Sequence, residues 1–231
     1  AHHTADSVIG AGKRLRTDTN GALGDQADGV KSFDSNGITI GTTGSLNGNG
    51  NSIVGWFWKA GGSASSNSNG SITSSVSAST DSGFSIVSYT ATNANATVGH
   101  GLGQALDMLL VKNRDSAKDW RMWFKGFSGT ERLEFNNAEA KATTNTSWNG
   151  TVPDANVFSL GNDTNTNNST DKYIAYCLAE KQGYSKCGTY TGNGSTDGTF
   201  VYTGFKPAMV ILKPTSTTGT WFILDNKIDT I

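Results

Sequence analysis

The 231 residues are enough for one large or two small domains, and 18 basic against 19 acidic side chains leave a net charge of -1. That balance removes any general electrostatic case for gripping a nucleic-acid backbone or an anionic membrane, and the longest apolar runs, such as Met108–Val111 and Met209–Leu212, are far too short to span a bilayer. Gly 29 against Pro 3, 16% charged residues and an abundance of Ser, Thr and Asn describe many short strands joined by tight turns under a neutral polar surface.

The start, AHHTADS, has no charged leader followed by an apolar stretch, so no signal peptide is visible. His2 and His3 are adjacent and lack partners of the kind a zinc site needs. Asp18 to Asp28, DTNGALGDQAD, has the oxygen density of a calcium loop but not the EF-hand register, and turn formation accounts for it equally well. Residues 1–60 read as a partial first β unit. Residues 61–82, rich in Gly, Ser and Asn, read as a flexible linker in which Ile72 and Val76 are the only anchors.

A complete unit of roughly 100 residues follows over 83–182, in the usual domain size range. Its apolar runs FSIVSYT, MLLVK, WRMWF, VFSL and KYIAYCLAE are short, rich in β-branched and aromatic types, and separated by clusters of Gly, Asn, Asp and Ser. The one helix candidate is Thr130 to Ala142, where Thr130 with Leu133 and Ala138 with Ala142 give a weak amphipathic spacing. Asn162 to Asp171, NDTNTNNSTD, is a second oxygen-rich loop. Residues 183–231 read as a partial third unit, with the Asn-Gly pair of YTGNG marking a tight hairpin turn.

The unit is written more than once. Ser35 to Ala60 lies over Ala155 to Glu180 at a spacing of 120 without a gap, setting Ile38 on Phe158, Ile40 on Leu160, Ile53 on Tyr173, Trp56 on Tyr176 and Gly41 on Gly161. KRLRTDTNGA from Lys13 falls on ERLEFNNAEA from Glu131, two residues out of that register, which places an indel in a loop. GFSIVSYT from Gly83 matches GYSKCGTYT from Gly183, the run ending at Lys112 matches the run ending at Lys213, and Trp120 matches Trp221. The fold class that follows is all-β: antiparallel β-sandwich units of about 100 residues, internally repeated. Either the chain is a window on a longer array, or residues 183–231 pack with 1–60 to complete one unit.

Chemistry is sparse. His100 in VGHGLG does not have dinucleotide or P-loop glycine spacing, and neither a Gly-x-Ser-x-Gly elbow nor HExxH occurs. Among the glutamates, Glu131 falls on Lys13 and Glu180 on Ala60, which reads as surface variation and not as a carboxylate pair for glycoside hydrolysis. Cys177 and Cys187 allow one bridge or two small apolar residues. No pattern asks for a catalytic residue, a metal or a cofactor. The remaining hint is Trp148 in TNTSWNGT, a polar loop without an aromatic counterpart near Val30. Trp148 is the candidate for stacking on a sugar face, with Asn145 and Asn149 supplying hydrogen bonds to hydroxyls.

At GFSIVSYTATNANATVGHGLG, VKNR, DKYIAYCLAE, GYSKCGTYTGNGSTDGTFVYTGFKPA and SFDSNGITIG the sequence resembles a domain of unknown function that recurs in bacteriophage tail-fibre and other virion structural proteins, notably from marine phages. The resemblance runs from about Asp6 to Asp225. It implies a structural module on the exterior of the phage particle, in a tail fibre or appendage that attaches to the host surface. Other virion proteins and a host surface glycan are the implied partners, with a homo-oligomer that is a trimer if the protein is a fibre. No catalytic residue is carried across. A capsid decoration protein and a tail-associated polysaccharide-degrading enzyme are the alternatives. Cys187 stands where relatives tend to have an aromatic, which weakens the case for a bridge.

Overall fold

The computed structural model describes residues 2–227; Ala1 and residues 228–231, at the outer ends of the two terminal stretches, lie outside that range. The N-terminal part holds β1 (His3–Thr4), β2 (Lys13–Arg16) and β3 (Gly24–Asp25) in one small sheet, then the hairpin of β4 (Val30–Asp34) and β5 (Gly37–Ile40), then the single turn α1 (Gly44–Asn47). The central part holds β6 (Ser65–Asn67), β7 (Ser74–Ser79), β8 (Phe84–Thr90), β9 (Ala96–Gly99), β10 (Met108–Asn113), β11 (Arg121–Phe124), β12 (Glu131–Glu134), β13 (Ala142–Thr143), β14 (Val157–Leu160) and β15 (Lys172–Leu178). The C-terminal part contributes the hairpin β16 (Met209–Leu212) and β17 (Phe222–Asp225).

The architecture is all-β, with antiparallel sheets packed as a sandwich. The main sheet has eight strands in the order β13-β12-β11-β10-β15-β8-β7-β6. β15 lies at its centre and is buried on both faces: Tyr173, Ala175 and Cys177 point into one core, and Ile174 and Tyr176 into the other. That is why KYIAYCL reads as a continuous apolar run and not as an alternating one. The β14–β9 pair closes the first core with Phe158, Leu160 and Val98. The N-terminal part closes the second, laying Leu15 over Phe84, Ile86 and Trp120, with Val8, Ile9 and Leu23 at its margin.

Three sequence expectations need correction. Residues 61–82 are not a free linker: β7 pairs with β8 from Ser75↔Ser88 to Ser79↔Phe84, and β6 pairs with β7. The serines that made the stretch look mobile are satisfied within the strand layer, Ser74 Oγ donating to Gly99 O at 3.2 Å and Ser77 Oγ to Gly62 O at 2.7 Å. The helix candidate at 130–142 forms β12 and β13 with a turn between them, because pairing with β11 and burial of Leu133 outweigh a weak local helical spacing. The C-terminal part makes its contacts with the central part, at Glu134, Ala138 and Lys141, so it does not complete a unit with residues 1–60 of the same chain.

Contacts recur along the chain at constant separations. His3↔Arg16 and Thr4↔Leu15 reappear as Arg121↔Glu134 and Met122↔Leu133, and Lys13↔Asp25 reappears as Glu131↔Thr143. Asn47 Nδ2 donates to Gly41 O at 2.9 Å, and Asn167 Nδ2 to Gly161 O at 2.6 Å. Leu46 N and Asn47 N close a turn on Thr43 O as Thr166 N and Asn167 N do on Asp163 O. Met209↔Asp225 through Leu212↔Phe222 repeat the pairing that begins Met108↔Phe124. The correspondence is not complete, since β5 pairs with β4 where its counterpart β14 pairs with β9. Ile53–Trp58 has no strand where β15 stands, and Gly183–Tyr190 has none where β8 stands.

Candidate functional site

The residues expected to meet a ligand are separated by the fold. Trp148 is 1% exposed, inside the first core, with its indole Nε1 donating to Glu131 O at 3.2 Å. Asn149 and Gly150, with φ of 50° and 66°, make a tight turn closed by Thr151 N on Trp148 O at 3.0 Å, and this turn lets the ring fold back beneath its own loop. A ring buried this way has no face to offer a sugar, which removes Trp148 as a stacking platform. Asn145 and Asn149 remain exposed on the loop.

The other candidates are structural in their geometry. His100 is fully buried: its Nδ1 accepts from Leu102 N and its Nε2 donates to Asp154 O at 3.2 Å, while burial lowers its pKa and keeps the ring neutral. Cys177 and Cys187 are both free thiols, pushed by burial up to about 12 and about 11. In the second oxygen-rich loop, Asp163 is held by Arg121, Ser147 and Asn165, and Asp171 by Asn113, Asn168 and Ser116. Among the described residues no group of three or more His, Cys, Asp or Glu side chains is placed to hold a metal ion.

A buried ionic cluster ties β11 to β12 and to the loop after β14. Arg121 lies between Glu134 and Asp163, with its Nε 2.9 Å from Asp163 Oδ2, and Arg132 also reaches Glu134. Burial alone would raise the Asp163 carboxyl, but the Arg121 charge and the bonds from Arg121, Ser147 and Asn165 outweigh it and bring it to about 2. Each charge here has its partner, the condition under which buried ions are tolerated.

The arrangement that stands out is a joint made twice. In the first, Trp120 Nε1 donates to Arg16 O at 2.9 Å, Leu23 N to Arg114 O at 2.9 Å, and Lys112 Nζ to Asn20 O at 3.1 Å. In the second, Trp221 Nε1 donates to Glu134 O at 3.2 Å, Lys141 N to Thr215 O at 2.9 Å, and Lys213 Nζ to Ala138 O at 3.4 Å. Each lysine also bonds the carbonyl of its own next residue, Asn113 at 2.9 Å and Pro214 at 2.9 Å. A tryptophan before the second strand of a hairpin and a lysine closing the first therefore grip an incoming strand and its following loop by backbone carbonyls, which demand no particular side chain.

Lys112 has no exposed surface and spends its three donors on three carbonyls, the third being Lys118 O at 2.8 Å. Burial pushes it down to about 8, opposed by the charge of Asp119. Burial also lowers Lys213. Tyr176 adds a bond to the first joint, its hydroxyl donating to Asp6 Oδ2 at 2.7 Å. Sequence reasoning passed over these lysines, although an apolar run ending in Lys occurs in both aligned segments.

The chain belongs to the family described as Domain of unknown function (DUF7483), whose model matches residues 1–231. No curated protein and no solved structure matches it.

Proposed function

We propose that this chain is a structural module of a bacteriophage particle, a segment of a tail fibre or appendage on the outside of the virion that takes part in host-surface attachment. The observation that carries this reading is the joint made twice, at Trp120 on Arg16 and again at Trp221 on Glu134. A contact that depends on backbone carbonyls and recurs at regular spacing is suited to stacking sandwiches into an extended body. The near-zero net charge gives no field that would draw in nucleic acid, the Ser-, Thr- and Asn-rich composition suits a polar, uncharged surface, and the sequence resemblance to virion proteins points the same way. Other virion proteins are the natural neighbours, and the exposed Asn145 and Asn149 offer hydrogen bonds to a host glycan.

Gold-labelled antibody against the chain, imaged on intact particles, tests the proposal. Label at the tail or its appendages is the expected result. Label spread over the head would replace it with capsid decoration. Release of reducing sugars from host envelope material by the purified chain would replace it with a polysaccharide-degrading enzyme.

A further inference from the structure

His100 opens the loop that joins β9 to β10, and it has no exposed surface. Its backbone N donates to Asn156 O at 3.1 Å, and its ring is engaged at both nitrogens: Nε2 with Asp154 O at 3.2 Å and Nδ1 with Leu102 N at 3.4 Å. A backbone amide can only donate, so Nδ1 is the acceptor and the single ring proton sits on Nε2, where the Asp154 carbonyl receives it. This geometry admits the neutral ring alone. A second proton would go on Nδ1 and set two donors face to face.

What Nδ1 holds is a core leucine between two hinges. Leu102 is buried in the first core, and Gly101 and Gly103 on either side of it have left-handed φ values of 74° and 67°. Beyond them the loop is fixed again: Gln104 Nε2 donates to Glu180 O at 3.3 Å, Lys181 Nζ donates to Gln104 Oε1 at 3.0 Å, and Asp107 N donates to Leu178 O at 2.8 Å. Among the described residues, the hydrogen bond of Gly101–Gly103 is the one from Leu102 N to the ring. Around the ring, the turn at 153–157 brings one charged group, Asp154, whose carboxyl is held below its ordinary value by the amides of Val157 and Asn156. β6 and β7, which crowd Gly99 and Gly101 with Asn67, Val76 and Ala78, carry no charge, nor do β9, β14 or the loop from Gly101 to Leu106. The matched segment 183–231 has no histidine, so the repeated design does not itself require one here.

We infer that His100 is an acid-operated latch: a proton taken up from solvent at Nδ1 expels the Leu102 amide, and Gly101–Gly103 swings Leu102 out of the first core while the sheets stay paired. Burial depresses the ring's pKa, opposed by the bond to Asp154 O and the Asp154 charge. The closed latch is therefore fully stabilising above about 6.5, the ordinary histidine value, and that contribution is lost as the pH falls through the lower folded value. Asp154 stays ionised across this window, so the ring alone carries the change. In mild acid the molecule presents an apolar loop that it hides at neutral pH. The device stands on these contacts whether or not the chain belongs to a virion.

Amide exchange read by mass spectrometry on the full 231-residue chain at pH 7.5 and 5.5, corrected for the intrinsic rate at each pH, tests this. Opening of the peptide that covers Leu102 should rise at least about twofold, and by up to about tenfold per pH unit below about 6.5, while β8, β10 and β15 keep their protection. His100→Gln, neutral at both pH values, should abolish the rise. Opening at Leu102 that does not change with pH overturns the inference, as does a rise spread equally over all strands, which is global unfolding. So does a His100→Gln chain with the wild-type rise. Should His100→Gln lose the wild-type circular dichroism spectrum, NMR titration of the wild-type chain decides: a shared midpoint for the His100 ring and the Leu102 amide supports the inference, and separate midpoints overturn it.

Discussion

Trp221 lies edge-on to Phe135 with ring centroids 4.8 Å apart, so the C-terminal hairpin rests on the residue that directly follows β12. The indole also reaches Glu134 O, and these contacts anchor the hairpin to the central part. Trp221→Ala is therefore expected to release the C-terminal part without unfolding the central sheet. Trypsin should cut at Lys186 at least tenfold faster, while the main thermal transition moves little. Trp120→Ala differs because Trp120 has no exposed surface. It should cost the whole fold about 3–5 kcal/mol in urea denaturation.

Asp163 makes stability fall in acid. Its carboxyl sits near 2 in the folded chain, below the ordinary carboxylate value, so its stabilising contribution is complete at neutral pH. It is lost as the pH falls from about 4 through 2, and amounts to about 2 kcal/mol. Urea titrations at pH 6 and pH 3 should show about half of that loss, because pH 3 lies between the folded and the ordinary value. Asp163→Asn should start less stable at pH 6 and show a smaller drop between the two.

Gly161 has no room for a side chain, because an added Cβ would press on the backbone carbonyl of Thr146. Gly41 is closed in the same way by Asp28. Gly161→Ala should cost about 1–3 kcal/mol by chemical denaturation, since backbone and not a flexible side chain must give way. Gly41→Ala should weaken the N-terminal part, read as faster amide exchange over β2 and β3.

Trp148→Ala should lower stability by about 3–5 kcal/mol. Asn145→Ala should leave it within about 0.5 kcal/mol, since it is exposed. If the loop touches a host glycan, Asn145→Ala reduces glycan binding on an array while the melting temperature is unchanged, and that separation identifies a contact residue.

Four strands of the main sheet, β8, β10, β11 and β15, were legible because each is a short apolar run between turn formers, whereas β12 and β13 read as a helix and β6 and β7 as a linker. Trp148 misled because its neighbours are polar: a turn at Asn149-Gly150 that folds the ring inward leaves no periodic trace. β7 was hidden by its serines, whose hydroxyls find backbone acceptors such as Gly99 O that no local pattern reveals. The Arg121–Asp163 pair spans 42 residues and Lys112 reaches Asn20 over 92, so neither partner could be read from spacing. The matched runs were visible as sequence, but only the register of β2 with β3 and of β12 with β13 shows what they build.

β15 is the last strand of the eight-stranded sheet to emerge from the ribosome, yet it belongs in the middle, between β8 and β10. Until residue 178 is synthesised, the nascent chain carries two separate half-sheets with bare edges and no strand to unite them. Closure must wait for a segment far along the chain, which makes folding slow and dominated by distant pairings. The same late strand is what joins the two halves of the finished sheet, since its pairings with β10 and with β8 are the only strand pairings between them.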